Sequence, residues 1–229
     1  MAPFLILAPS PGLRDTAQMN DWKGRLIAAV SPLAEGVRPL QVGGYKPTGD
    51  SQYRPGRTAA VLVPIIDQQE PELVLTLRAR DLSHHPGQVS FPGGAVERAD
   101  GSAVETALRE TREEIGIPEA AVRPIGFLDR YDTISDYRVL PVVGLLEPGL
   151  IWVPDRAEVD EVFTVPFSYL TDPSRYRQTE REYQGVTHPI WSLSWQGHVI
   201  WGVTAAIIRN LFDRLEGSTA SESVANGAA

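Results

Sequence analysis

The feature that most restricts the fold of this chain is a helix with clear ends and an acidic border. Ser102 and Glu105 form a capping-box pair, Gly116 fits the position past the last turn, and Pro118 forbids continuation, which predicts a helix over Ser102–Ile115. At about 100° per residue, with Ala103 at the origin, Ala107, Thr111, Val104, Ile115 and Leu108 run from about 40° to 140°, a coherent stripe for burial. Glu114, Glu110 and Glu113 fall near about 20°, 340° and 280°, at one border of that stripe. Three carboxylates are therefore expected to converge beside the core.

Like charges at this spacing repel unless something positive lies among them. Glu110 and Glu114 are one turn apart, a separation at which two carboxylates can meet one cation. Mg2+ suits hard oxygens combined with substrate phosphates. Arg109, four residues from both Glu105 and Glu113, can orient the border. The competing reading is a solvated acidic face laced by i,i+4 pairs. The preceding loop His84–Gly94, punctuated by Pro86, Gly87, Pro92, Gly93 and Gly94, shifts the balance towards a metal site, because it sets the acids beside a tight turn.

Around this helix the pattern mixes strands and helices without regular alternation, so the expected class is α/β in the broad sense (α+β), a mixed sheet with helices packed on it. Asp21 can cap a helix over Trp22–Ala34, and residues 35–57 read as a loop wrapping the domain. Ala59–Ile66 and Glu72–Arg78 resemble a hairpin. Further strands are expected at Val122–Leu128, Tyr137–Leu146, near Glu158–Val165, and as a polar pair around Tyr176–Tyr183 and Pro189–Trp195. An amphipathic helix from about Trp201 to Leu215 follows. The division is an N-terminal extension with one helix (1–50), a main domain (51–216) and a disordered tail (217–229). Residues 1–50 admit three readings: a substrate lid, a dimer arm, or a misassigned start with Met19 as the alternative.

Composition removes several functions. Lys and Arg total 21 against 29 Asp and Glu, a net charge of −8, whereas nucleic acids and anionic membranes select basic surfaces. The chain has no cysteine, which excludes disulfide scaffolds, thiolate metal sites and a Cys nucleophile. Apolar runs such as Phe4–Ala8 fall short of the roughly 18 residues of a membrane span, and no basic segment precedes that run as in a secretory signal. The expected setting is cytoplasmic.

At the helix the sequence resembles the Nudix box, G-x5-E-x7-R-E-U-x-E-E-x-G-U, with U a bulky aliphatic residue. Gly94 and the run Arg109-Glu110-Thr111-Arg112-Glu113-Glu114-Ile115-Gly116-Ile117 carry the likeness. The spacing from Gly94 to Arg109 is one residue longer than the general pattern, Asp100 falls near the place of the first box glutamate, and Thr111 stands where an aliphatic residue is usual. The upstream segment Leu75-Thr76-Leu77-Arg78 … His85-Pro86-Gly87-Gln88-Val89-Ser90-Phe91-Pro92-Gly93-Gly94 resembles the extra motif of the coenzyme A pyrophosphatase branch, whose members tend to carry the longer box. Relatives usually have basic residues where this chain reads Asp81-Leu82-Ser83-His84-His85.

The resemblance implies a Nudix-like α/β/α sandwich and a small-molecule nucleotide substrate, cleaved with Mg2+ or Mn2+. It implies Glu110 and Glu114 as metal ligands, Glu113 as a further ligand or a base acting through water, the Gly93 carbonyl as an added oxygen ligand, and Arg109 as electrostatic support. Nudix relatives often take the general base from outside the box, which makes Glu158, Asp160 and Glu161 candidates, with Glu161 preferred. Arg78, Arg80, His84 and His85 are the expected substrate contacts, the two histidines being equally readable as exposed loop residues. Asp100 is expected to help the turn into the helix. Other nucleoside diphosphate derivatives, such as ADP-ribose or NADH, are alternative substrates, and a non-catalytic binding module is an alternative of another class. Nucleic-acid and membrane partners are not expected, and a homodimer is left open.

Overall fold

The computed structural model describes residues 21–35, 56–133, 135–183 and 186–226. The expected wrapping loop falls almost wholly outside these residues, as does most of the N-terminal extension. Strand β1 (Arg57–Ile66) runs parallel to β7 (Tyr137–Leu146) along its whole length. Its other edge is shared: Ile65 and Ile66 meet β2 (Glu72–Arg78), whereas Ala59–Val61 meet β4 (Gly93–Ala95). β2 pairs along one edge with β8 (Val159–Pro166), and its far end, Thr76 and Leu77, meets β3 (Val89–Ser90). The hairpin is therefore a fork, closed where Ile65 meets Leu73 and opened at the other end by β3 and β4. β5 (Val122–Phe127) and the short β6 (Tyr131–Asp132) complete the sheet against β7.

Alternation along the strands sorts the core into two layers. Ala60, Leu62, Val74, Val142 and Leu146 face Ala107 and Ile115 of the carboxylate helix. Val63, Ile65, Leu73, Leu75, Val143 and Leu145 face the opposite layer, where Trp22 and Leu26 pack with Ile207, Ile208, Leu211 and Phe212. A three-stranded sheet, β9 (Arg177–Tyr183), β10 (Val186–Trp195) and β11 (His198–Trp201), joins that second layer. The architecture is the expected mixed sheet between helical layers.

The helices depart from expectation at their ends. Helix α1 spans Trp22–Ala29 and not Trp22–Ala34. Ser31 leaves the helix to exchange two backbone bonds with Phe127, and Pro32 follows it. Asp21 occupies the cap position without a side-chain bond. Helix α2 (Ala103–Ile115) has the expected caps: Ser102 accepts from the Glu105 amide, and Gly116 takes a left-handed φ of 73°. Glu105 accepts from the Gly101 amide at 2.8 Å, so it serves the helix entry. After the one-turn α3 (Phe167–Leu170), α4 runs over Gly202–Asn226. The helical backbone thus continues through most of the stretch expected to be a disordered tail. Beyond Gly217 the Ala, Ser and Glu content tolerates helix, and no proline stops it.

Candidate active site

The site forms at the open end of the fork. Gly93 lies so close to β1 that a Cβ would sit 2.5 Å from the Ala60 carbonyl oxygen and 2.6 Å from Val61 Cα. A Cβ on Gly94 would sit 2.4 Å from the Glu110 carboxylate. The two glycines thus let the turn lie against both the sheet and the helix, which is the close approach expected of that loop.

Glu114 plugs the fork. It is 2% exposed, accepts from the Gly93 amide at 3.2 Å through Oε2, and meets Arg78 Nη1 at 3.4 Å through Oε1. One side chain of α2 thereby touches both prongs, β4 and β2. Burial pushes its carboxyl up to about 8, against the opposing pull of Arg78 and the Gly93 amide, and with added repulsion from Glu110 and Glu158. Glu110 is also raised, first by burial and then by Glu113 and Glu158, with Arg109 working in the other direction. Glu110 and Glu114 are thus two crowded acids.

Arg109 organises the border. Its Nε and Nη2 reach Asp100 Oδ1 and Oδ2, both at 3.1 Å, while Nη1 meets Glu110 at 2.9 Å and Glu113 at 3.0 Å. Asp100 also accepts from the Thr106 hydroxyl at 2.9 Å and the Glu97 amide at 2.8 Å. The Arg109 guanidinium holds the Asp100 carboxyl well below the usual carboxylate range. Asp100 therefore does more than shape the turn, because it anchors the arginine that spans the acidic border. Thr111 is fully buried and donates to the Ala107 carbonyl at 2.7 Å, which satisfies its hydroxyl where an aliphatic residue is usual.

The three box carboxylates lie at different depths. Glu113 is 47% exposed and held by Arg109 and Arg112. Among the described residues, no three Asp, Glu or His side chains gather into a cage for a metal ion. What α2 offers is a pair, Glu110 and Glu114, with carboxyls raised by crowding and burial. That donor set fits an ion such as Mg2+, which keeps several waters and completes its shell with substrate phosphates. Gly93 enters the site through its N–H to Glu114.

The strand sets Glu161 apart from the carboxylate pair. Glu161 lies on the face of β8 shared by Phe163 and Val165, which pack into the layer away from α2. It meets His198 at 3.4 Å, and that imidazole stacks on Phe163 at 4.1 Å. Glu158, at the entry to β8, is the charge felt by both Glu110 and Glu114. The parity holds only from Glu161 onwards, because the register with β2 shifts between Leu77 and Arg78 and Val159 packs in the α2 layer. Of the expected substrate contacts, Arg78 is engaged with Glu114, whereas Arg80, His84 and His85 are exposed. His85 has a positive φ of 55° and its Nδ1 lies 3.0 Å from Gln88 Oε1.

With this geometry in place, the comparisons are direct. The NUDIX domain family matches residues 56–186, which contain the whole fork and α2. Two relatives, from Enterobacter sp. (strain 638) and Salmonella newport (strain SL254), each bear the name "Uncharacterized Nudix hydrolase NudL". Each is 44% identical over 156 residues, 68% of this chain and 81% of the relative. Among solved structures, the Nudix hydrolase RenU from M. smegmatis aligns over 48% of this chain and 70% of its own, at 22% identity and a TM-score of 0.41. A C. elegans Ap4A hydrolase complex aligns over 70% and 98%, at 16% identity and a TM-score of 0.45. The forked sheet, the glycine turn under Glu110 and the match across residues 56–186 place this chain in the Nudix hydrolase family.

Proposed function

We propose that the protein hydrolyses the diphosphate linkage of coenzyme A or its derivatives, using Mg2+ or Mn2+, to give 3′,5′-ADP and 4′-phosphopantetheine or its acyl form. The observation that carries the hydrolytic part is the Glu110–Glu114 pair, two carboxyls crowded at the mouth of the fork and both raised. A divalent ion held there would neutralise diphosphate charge and lower the pKa of an attacking water. Glu110 and Glu114 would supply its protein oxygens, and the box resemblance implies Glu113 and the Gly93 carbonyl as further donors. Arg109 keeps Glu110 in place through its own anchorage on Asp100. Glu158, whose charge acts on both acids, would take the proton from the water. The water oxygen bonds to one phosphorus, the bond from that phosphorus to the bridging oxygen breaks, and the second phosphate leaves.

The coenzyme A reading is supported by the resemblance of Leu75–Gly94 to the extra motif of that branch. A second reading, cleavage of a substrate without a 3′-phosphate such as ADP-ribose or NADH, is favoured by one observation. Arg78 is spoken for by Glu114, which leaves Arg80 as the other arginine of the motif, with His84 and His85 beside it. A purely binding role would leave two crowded acids without a use.

The test is a panel of coenzyme A, its acyl and 3′-dephospho forms, ADP-ribose and NADH, incubated with Mg2+ or Mn2+ and resolved by chromatography. Coenzyme A cleavage that exceeds that of the others, abolished in Glu110→Gln, is the expected result. Faster cleavage of ADP-ribose would transfer the assignment to the second reading. No turnover with either metal, in wild type and variant alike, would end the enzymatic reading.

A further inference from the structure

Both oxygens of Glu114 are taken: Oε2 by the Gly93 amide and Oε1 by Arg78. These two partners differ in their freedom to move. Gly93 is locked in β4 against Val61, with no room even for a Cβ. Arg78 is fixed only through its backbone, where its N–H donates to the Gln88 carbonyl and its own carbonyl accepts from Gly87. Its side chain is 22% exposed and carries the guanidinium on a flexible stem. The same guanidinium has a buried Nε with no hydrogen-bond partner, so its present pose leaves a donor unsatisfied. A cation that is held loosely and incompletely on a buried carboxylate is one that can leave.

We propose that Arg78 is a resident counter-ion of Glu114 that a divalent cation displaces, so that metal loading and the Arg78–Glu114 contact exclude one another. The proposal rests on the reading of Glu114 as a metal ligand. A guanidinium on Oε1 offsets negative charge on Glu114 in the metal-free site, and it repels a second positive charge arriving at the same oxygen. Arg78 is thus a positioning residue: it keeps Glu114 aimed into the fork and sets how strongly the site takes up metal. Because the coupling is reciprocal, whatever Arg78 contributes to the empty protein is lost from metal affinity.

The test uses the full chain and metal alone. Arg78→Gln should bind Mn2+ about tenfold more tightly than wild type by calorimetry. It should also melt at a lower temperature than wild type in EDTA, and the deficit should close at saturating Mn2+. A merely structural arginine would lower both melting temperatures equally, and that result, or unchanged or weaker Mn2+ binding, overturns the proposal. Should Arg78→Gln not fold, the wild type carries the test. Its Arg78 Nε–H resonance, identified by its loss in Arg78→Lys, should shift as Mg2+ is added. A resonance unmoved while Mg2+ binds overturns the proposal, with the metal reading intact. Wild type and Glu114→Gln binding Mn2+ equally would instead remove the ligand assignment on which the proposal rests.

Discussion

Asp100 grips Arg109 with two parallel hydrogen bonds, Nε to Oδ1 and Nη2 to Oδ2, each 3.1 Å long. This fork-to-fork geometry fixes the plane of the guanidinium, so its remaining donors reach Glu110 and Glu113 from a set direction. The additional residue between Gly94 and Arg109 is accommodated without losing a carboxylate partner for the arginine. Asp100→Asn keeps the shape but removes the charge and one of the two acceptors. Its expected effect is a fall in hydrolysis of about 10- to 100-fold, with more Mg2+ needed for half-maximal rate. A metal-activation curve that overlays the wild type would remove Asp100 from the site.

Neighbouring glycines should fail in different ways. At Gly93 an added Cβ meets backbone, the Ala60 carbonyl and Val61 Cα, which cannot yield without opening the sheet. Gly93→Ala should therefore lose about 2 kcal/mol or more in urea unfolding. At Gly94 the obstacle is the end of the Glu110 side chain, which can swing aside. Gly94→Ala should keep most of its stability and lose activity and Mn2+ affinity together. Equal destabilisation by the two changes would contradict this division.

The fold was largely legible because its elements have chemical ends: the Ser102 cap, the Gly116 stop and the apolar runs of β1 and β7 all stand where the residues put them. What could not be read was tertiary competition. Nothing local says that Ser31 prefers Phe127 to another helical turn. Helical angles placed Glu114 at a border, yet it is buried, because the fork in the sheet provides an amide and a guanidinium for it to enter. Glu113 lies farther round the helix and stays in solvent with Arg112. The side of α2 was therefore readable, and the depth of each carboxylate was not.

Depth has a pH signature. Glu114 sits at about 8 against an ordinary 4.5, and Glu110 is also raised, both chiefly through burial. The folded chain then binds more protons than the unfolded chain, so this contribution to stability is fully present below the ordinary carboxylate range and is lost as pH rises from 4.5 through about 8. The slope is at most about 1.4 kcal/mol per pH unit for each proton. Asp100, shifted the other way, acts only below its ordinary value of 3.8 and leaves this window untouched. Urea titrations in EDTA at pH 5, 6.5 and 8 should show falling stability, and Glu114→Gln should flatten the trend. Stability that rises across this range would refute the burial of Glu114 as its controlling influence.

The two acids of β8 and its entry make the sharpest contrast. Glu158 raises the carboxyls of both Glu110 and Glu114, so its charge acts on the pair. Glu161, three residues on, shares its face with Phe163 and Val165 and meets His198. A base must reach the water that attacks phosphorus, and only the α2 face carries the carboxylate pair that would hold the metal. Glu158→Gln should therefore lower kcat by about 10²- to 10⁴-fold with little change in KM. Glu161→Gln should stay within about twofold of wild type, as expected for an exposed pair away from the reaction. If Glu161→Gln were the damaging change and Glu158→Gln silent, proton transfer would have to come from the opposite layer, and the site would have to be rebuilt around His198.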